Sequence, residues 1–451
     1  MQDSDDMVVR LWVWVLLIVI VALSMRSRKM VSVGLPLMYL YDLSINHWFG
    51  AVIHTLPWHD VSNHEIVEKG FRQAFYGVVA FAVGNVIVAP ILMNIGHFKF
   101  LKPKGYAPDM RLPLAYLITG LSFYFLLSPV IGGIPSVRTF VYSGWSLLIL
   151  GFCLISWKAW KYRRHKGFLR WVLAALVFPV FTTMNQGFLG FGISALLIVL
   201  VFVSTFYKPK WRIVLGGFMS IYLGLSLFVT YLRDRNELRQ VVWYERESIN
   251  ARMNQFLSIF TSFEFLDLNN PNHLERIDSR LNQNFLVGRS VEYLENGNVP
   301  YSHGGTLRDA LISFVPRIVW TNKPIVAGGM DIVNTYTGIL FPEGTAVGAG
   351  QVMEFYINYG TPCVFLGFLV LGIIITFFDV AAGNNLAQGN WHGFVYWFLP
   401  GIGFLHAGGS LVEVVSTAAA SIVFCVLVNR FILSGYIGNR LSRLRWKRYE
   451  R

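Results

Sequence analysis

The chain has 451 residues, of which 54% are hydrophobic and only 14% charged, with a formal net charge of +13. A soluble chain is about 25% charged, so this composition, with a mean hydropathy of +0.50, excludes a soluble globular protein and indicates a polytopic membrane protein. The positive excess is no nucleic-acid patch: residues 233–349 hold eleven Lys and Arg against thirteen Asp and Glu, so the surplus lies in the short loops and the tail.

The first apolar run, 8–25, follows an acidic start, Met1-Gln-Asp-Ser-Asp-Asp, and precedes the basic cluster Arg26-Ser-Arg-Lys29. That charge order is the reverse of a cleaved signal peptide, and it predicts an anchor with its N-terminus outside. Further spans of about 17–25 apolar residues are predicted at 31–56, 74–96, 112–133, 138–157, 168–184, 188–207, 213–232, 361–381, 393–409 and 414–434. The second span carries Pro36, Asp42 and Asn46, and Asp42 is the lone acid in mid-span. With the N-terminus outside, 23 basic residues fall on the inner side and only Arg10, Lys69, Arg72 and Arg138 fall in the opposite short segments. Eleven spans satisfy this bias. They divide the chain into a membrane region (1–232), an outer-face loop domain (233–349), a short helix with three more spans (350–434) and a basic cytoplasmic tail (435–451).

Between spans six and seven, Thr182-Thr-Met-Asn-Gln-Gly187 reads as a tight outer turn. In the outer segment, residues 236–262 are helical in pattern, and Arg235, Arg239 and Arg246 share one helix face that suits either an anion or a solvated surface. Asn269-Asn-Pro-Asn272 is a turn and cap signal before a helix through Leu274, Ile277 and Leu281, with Arg276 and Arg280 beside them. Glu295-Asn-Gly-Asn298 is a turn. Thr306-Leu-Arg-Asp309 has capping-box spacing and starts a short helix through Ile312. His303, in the loop before it, is a candidate base.

Two apolar stretches then carry embedded charges. Arg317 and Lys323 lie in Phe314-Val-Pro-Arg-Ile-Val-Trp-Thr-Asn-Lys-Pro324, and Glu354 lies in Gly348-Ala-Gly-Gln-Val-Met-Glu-Phe-Tyr-Ile-Asn-Tyr-Gly360. Ionisable groups near a bilayer are functional candidates, although basic residues there also serve as snorkelling anchors. Gln351, Glu354 and Asn358 form a polar stripe at i, i+3 and i+7, which predicts a short re-entrant or interfacial helix. His406 and Glu413 flank a Gly408-Gly409 outer turn and read mainly as interfacial residues. Nucleotide, dinucleotide, zinc-protease and hydrolase motifs are missing, and Cys153, Cys363 and Cys425 fall in apolar runs without metal or disulfide spacing. Neither a cofactor nor a metal is expected.

The layout of spans, the late outer loop, Val315-Pro-Arg-x-x-Trp-x-x-Lys-Pro324 and Gly350-Gln-x-x-Glu-Phe-Tyr-x-Asn-Tyr-Gly360 resemble the Wzy-type O-antigen and exopolysaccharide polymerases. The resemblance implies an all-α, GT-C-like fold of about eleven transmembrane helices in a bacterial inner membrane. It implies glycosyl transfer at the outer face from an undecaprenyl-diphosphate-linked oligosaccharide, with membrane lipids, and a chain-length regulator in some systems, as partners, and no nucleic acid. On that reading Arg317, Lys323, Arg239 and Arg280 hold the diphosphate, because guanidinium forks suit its oxygens. Glu354 is the first candidate for general base and His303 the second. Arg317 and Gly328 also match an Arg-x10-Gly motif of some members. An O-antigen-ligase-like transferase and a non-catalytic lipid-glycan flippase are the alternatives.

Overall fold

The computed structural model describes residues 2–27, 31–56, 61–96, 98, 101, 105, 108–127, 135–186, 189–207, 211–240, 253–254, 257–258, 261–315, 320, 322–324, 327–342, 345 and 347–432. Among these, every regular element is helical. The elements are α1 (Gln2–Ser27), α2 (Leu35–Ile53), α3 (Val61–Val83), α4 (Ala89–Gly96), α5 (Leu112–Ser122), α6 (Pro135–Lys161), α7 (His165–Ala174), α8 (Val177–Gln186), α9 (Leu189–Phe206) and α10 (Trp211–Arg239). They continue with α11 (Pro271–Leu281), α12 (Asn284–Glu295), α13 (Gly305–Ser313), α14 (Gly329–Thr337), α15 (Gln351–Tyr359), α16 (Thr361–Ala387), α17 (Trp391–Gly403) and α18 (Leu411–Leu427). One π-helical turn, Gly84–Val88, fuses α3 to α4, and others extend α5 and α18.

Among the described residues, six helical stretches are long and apolar enough to cross a membrane: Asp6–Ser27, Asn63–Gly96, His165–Met184, Leu189–Phe206, Thr361–Ala387 and Leu411–Arg430; Leu112–Leu126 is a shorter apolar helix. The protein is therefore a helical membrane protein. The other predicted stretches contain helix as well, but 31–34 and 404–409 are not helical, and 128–133 and 433–434 lie outside the described residues. The sixth is broken where Ala175 and Leu176 turn between α7 and α8.

Helix α3 is the central strut, with Gly70, Gly77 and Gly84 recurring every seven residues. A β-carbon on Gly70 would stand 1.9 Å from the Asn284 carbonyl oxygen, and one on Gly288 of α12 would stand 1.7 Å from that of Ile66. Higher up the stripe, a β-carbon on Gly84 would meet the Leu369 carbonyl at 2.4 Å, and one on Gly372 would meet that of Phe81 at 2.5 Å. Backbones this close need small residues, as membrane helix pairs commonly do. The outer segment thus shares its core with the apolar helices: Val287, Val291, Ala310, Ile332 and Val333 belong to the same buried cluster as Phe71, Phe81 and Phe368.

Contacts gather the loops at two ends. At one end, Asp379 of α16 accepts the N–H groups of Val33, Gly34 and Leu35 at 3.0, 2.8 and 3.0 Å. These are donors at the start of α2, where a helix favours negative charge. Asn384 bonds to Val31 and Leu101 at the same end, and Lys158 reaches the Met110 carbonyl. At the other end, His47 meets Asn284 at 2.8 Å, His54 meets Asp278 at 3.1 Å, and the Gln283 N–H donates to the Asn46 carbonyl at 2.8 Å.

The outer segment contains α11 and α13 as predicted, and α12 and α14 beyond the prediction. Asn270 caps α11 by accepting the Asn272 N–H. The capping box at Thr306 does not form: Gly304 (φ 87°) is the N-cap of α13, and the Thr306 hydroxyl accepts from Asn358 instead. The predicted tight turn at Thr182 is also corrected. Residues 182–186 continue α8, and the Thr182 and Thr183 hydroxyls donate back to carbonyls at Phe178 and Pro179.

Candidate functional site

Helix α15 lies at the end of the bundle that carries the outer segment. Gly350 (φ 74°) and Gly360 (φ 67°) bound it, both in the region that favours glycine. Every residue from Gln351 to Asn358 is buried. The predicted stripe is present and faces protein. The Gln351 side chain accepts from the Tyr39 hydroxyl at 2.5 Å and donates to the His406 carbonyl at 3.2 Å. Asn358 donates to the Thr306 hydroxyl at 2.7 Å and to the Glu354 carbonyl at 2.6 Å. Glu354 accepts the N–H of Leu411, the first residue of α18, through Oε2.

The Gln351 and Glu354 bonds reach the turn 404–410 and the start of α18, and other elements add to them. Asp42 of α2 accepts the Ala407 N–H at 2.8 Å. The Gln351 N–H donates to the Ala407 carbonyl at 3.0 Å, and the Gln283 amide donates to the Gly408 carbonyl at 3.0 Å. Ser410 caps α18 by accepting the Glu413 N–H at 3.3 Å. The turn is held from beneath by α2, the start of α12 and α15, and it presents two exposed ionisable side chains, His406 and Glu413.

Those two side chains close on Gly409. A β-carbon there would stand 2.4 Å from His406 Cδ2, 3.1 Å from His406 Nε2 and 3.1 Å from Glu413 Oε2. Glycine therefore lets the His406 ring and the Glu413 carboxylate pack directly against the turn, where a larger residue would not fit. Burial pushes the Glu354 carboxyl up to about 8; the Leu411 N–H and the Thr306 hydroxyl oppose this, and the charges of Asp309 and Glu413 add to it. A carboxyl in that range exchanges protons near neutral pH. It is nevertheless fully buried, so it touches no bulky substrate in this arrangement.

The other predicted residues lie apart. His303 is exposed, has a left-handed backbone (φ 46°), and its ring lies 6.0 Å from that of Tyr359. The Lys323 ammonium donates to the Ser313 and Val315 carbonyls at 3.2 and 3.0 Å, at the C-terminal end of α13, where cations are favoured. Arg239 and Arg280 come together with Arg235 where α10 packs on α11 through Val229 and Ile277. Burial, Arg280 and Arg239 lower half-buried Arg235 to about 10. Arg317 and Arg246 lie outside the described residues.

A family described as Domain of unknown function (DUF8712) matches residues 58–435, well over half of the sequence. The chain belongs to this family. No curated protein and no solved structure matches it. The matched DUF8712 region takes in α15, the 404–410 turn, Gln283 and the arginines of α10 and α11; Asp42 precedes it. Sequence reasoning read His406 and Glu413 mainly as interfacial residues and did not single out Gln283. The usable signal was two ionisable residues seven apart around a Gly-Gly pair, which marks a close-packed turn that presents them.

Proposed function

We propose that the chain is a membrane glycosyltransferase of the O-antigen or exopolysaccharide polymerase type. It extends a glycan by transfer from an undecaprenyl-diphosphate-linked oligosaccharide at the outer face of the inner membrane. The reading has the N-terminus and residues 233–349 outside and the C-terminus in the cytoplasm of a bacterium. One observation carries it. His406, Glu413, Glu354 and Asp309 gather at a single end of an apolar bundle, under a polar helical segment whose α11 bears Arg280 opposite Arg235 and Arg239 of α10. Transfer from a diphosphate donor needs a proton acceptor for the incoming hydroxyl and cations for the departing diphosphate. Both kinds of group are available at that end. Loops sorted to two ends also support a chain that crosses the membrane repeatedly.

The test is elongation of a purified undecaprenyl-diphosphate oligosaccharide in detergent or vesicles, read as a ladder on a gel. The wild type is expected to lengthen the glycan. Arg317→Ala should abolish the ladder at normal protein level, and Arg317→Lys should restore it poorly, since a point charge does not replace a bidentate fork. Transfer to a lipid A core instead of a second repeat unit would make the chain ligase-like. Translocation of the lipid without transfer would make it a flippase.

A further inference from the structure

Asp42 of α2 and Ser194 of α9 line one pocket, and Met38, Leu197, Ile198 and Leu405 form the rest of its wall. Its volume is about 300 Å³ up to and including the open mouth, and its enclosed part is water-sized. The two helices run antiparallel. Gly34, just before α2, meets Val201 and Thr205 towards the end of α9, and Asp42 lies about two turns further on, across the pocket from Ser194 near the start of α9. Leu405 places the pocket beside the turn 404–410, at the end that carries the outer segment.

Both polar groups have bonding capacity to spare. A carboxylate accepts about four hydrogen bonds. Asp42 takes the Ala407 N–H at 2.8 Å, with the Gly408 N–H beside it, both from the turn. Elsewhere on α9, the Ser204 and Thr205 hydroxyls each donate to a carbonyl one turn back at 2.7 Å, a common use of a hydroxyl inside a helix. Ser194 makes no such bond, nor any other among the described residues. An otherwise apolar wall thus presents one acceptor, the carboxylate, and one group that both donates and accepts, the hydroxyl. A ligand hydroxyl between them donates to Asp42 and accepts from Ser194, so one group completes both. A carbonyl or phosphate oxygen would face the carboxylate with no proton to offer. A metal cation would find one carboxylate and one hydroxyl, against the roughly six oxygens that hard cations take.

We infer that this pocket receives a hydroxymethyl group of the lipid-linked glycan, with its carbon against Met38, Ile198 and Leu405 and its hydroxyl between Asp42 and Ser194. The inference rests on the glycan-polymerising reading and adds a sugar class to it. A hexose, with its exocyclic primary hydroxyl, is held. A 6-deoxyhexose, with a methyl group there, leaves Asp42 and Ser194 without their partner, which is how a polar site rejects an analogue.

The experiment uses the full-length protein in detergent and two probes, an undecaprenyl-diphosphate trisaccharide built of hexoses and the same built of 6-deoxyhexoses. The first readout is labelling of Asp42 by dicyclohexylcarbodiimide, an apolar carboxyl reagent, located by mass spectrometry. The second is KM and kcat for elongation. The hexose probe should shield Asp42, and the deoxy probe should need a concentration about 10–100-fold higher, the worth of a hydrogen bond to a charged group. Ser194→Ala should raise KM several-fold and leave kcat unchanged. Ser194→Leu fills the pocket with apolar atoms and should abolish shielding without lowering the unfolding temperature. Equal shielding by the two probes, shielding that persists in Ser194→Leu, shielding by sodium chloride alone, or no labelling of Asp42 overturns the inference. Should Ser194→Leu fail to fold, Ser194→Ala and the two probes on the wild type decide in the same directions. A wild type that is shielded by the hexose probe alone but transfers no sugar removes the polymerase reading and leaves the pocket as a glycan site. Elongation without shielding removes the inference and leaves the polymerase reading.

Discussion

A carboxylate sealed from water is worth more as a proton-linked strut than as a reagent. Glu354 combines full burial with a bond to the Leu411 N–H, and burial raises its pKa from 4.5 to about 8. The folded protein therefore holds a proton that the unfolded chain has released across that interval. Stability from this group is full below about pH 4.5 and is lost as pH rises towards 8. In Glu354→Gln the amide stays neutral, and its oxygen still accepts from Leu411. Thermal unfolding in detergent between pH 5 and 8 should show a declining wild type and a flatter variant. An identical slope in both would assign the pH dependence to another group. Elongation by the variant within about tenfold of wild type would rule out Glu354 as the general base, whose loss is worth roughly 10²–10⁴-fold. The stripe Gln351, Glu354, Asn358 was legible at i, i+3 and i+7. Its destination was not: periodicity defines a face, while the neighbour it meets here, the turn 404–410, lies some fifty residues further along the chain.

Helices were legible wherever an apolar run or a cap signal stands alone, as at α1, α9, α11 and α16. They were missed where burial is supplied by a partner: α12 and α14 carry ordinary compositions and are helical because Val287, Val291, Ile332 and Val333 enter a core shared with α3 and α15. The capping box at Thr306 failed for a related reason, since Asn358 competes for its hydroxyl. The heptad glycines of α3 are the clearest element-scale device. Gly288→Ala and Gly70→Ala each put a methyl group onto a carbonyl of the facing helix and should lower stability by about 1–3 kcal/mol or more. Gly216→Ala of α10, where an added β-carbon meets nothing within 4 Å, serves as the contrast and should be neutral or stabilising, as Gly to Ala in an open helix generally is. Equal loss in all three would mean that the close α3–α12 crossing is not what these glycines serve. Asp379 makes the matching test at the opposite end. Asp379→Ala leaves three N–H groups at the start of α2 without their acceptor, and should cost more than any single cap, which is typically worth about 1 kcal/mol.

At the scale of the molecule, the proposed orientation is supported by two lines. Charge gives one: 23 basic residues lie in one set of short segments and four in the other, the bias expected of cytoplasmic loops. Contacts give the second, since Val31–Leu35, Leu101 and Asn384 meet at one end, while Asn46–His54, Asp278–Asn284 and Gln351–Gly408 meet at the other. Leu101 belongs to the first group, in the same stretch as Met110, whose carbonyl Lys158 reaches, and residues 278–284 belong to the second. Hydropathy could read the spans because lipid-facing surface is apolar in every helix. It could not read the site, because the site is built from side chains of α2, the start of α12, α15 and α18 that are spread from Asp42 to Glu413 along the chain. Alkaline phosphatase and green fluorescent protein fusions at Ala159 and Asn298 test the arrangement directly. Phosphatase is active only outside the cytoplasm and the fluorescent protein folds efficiently only within it, so the Asn298 fusion should give phosphatase activity and the Ala159 fusion fluorescence. Both fusions reporting the same side would break the agreement between charge and contacts.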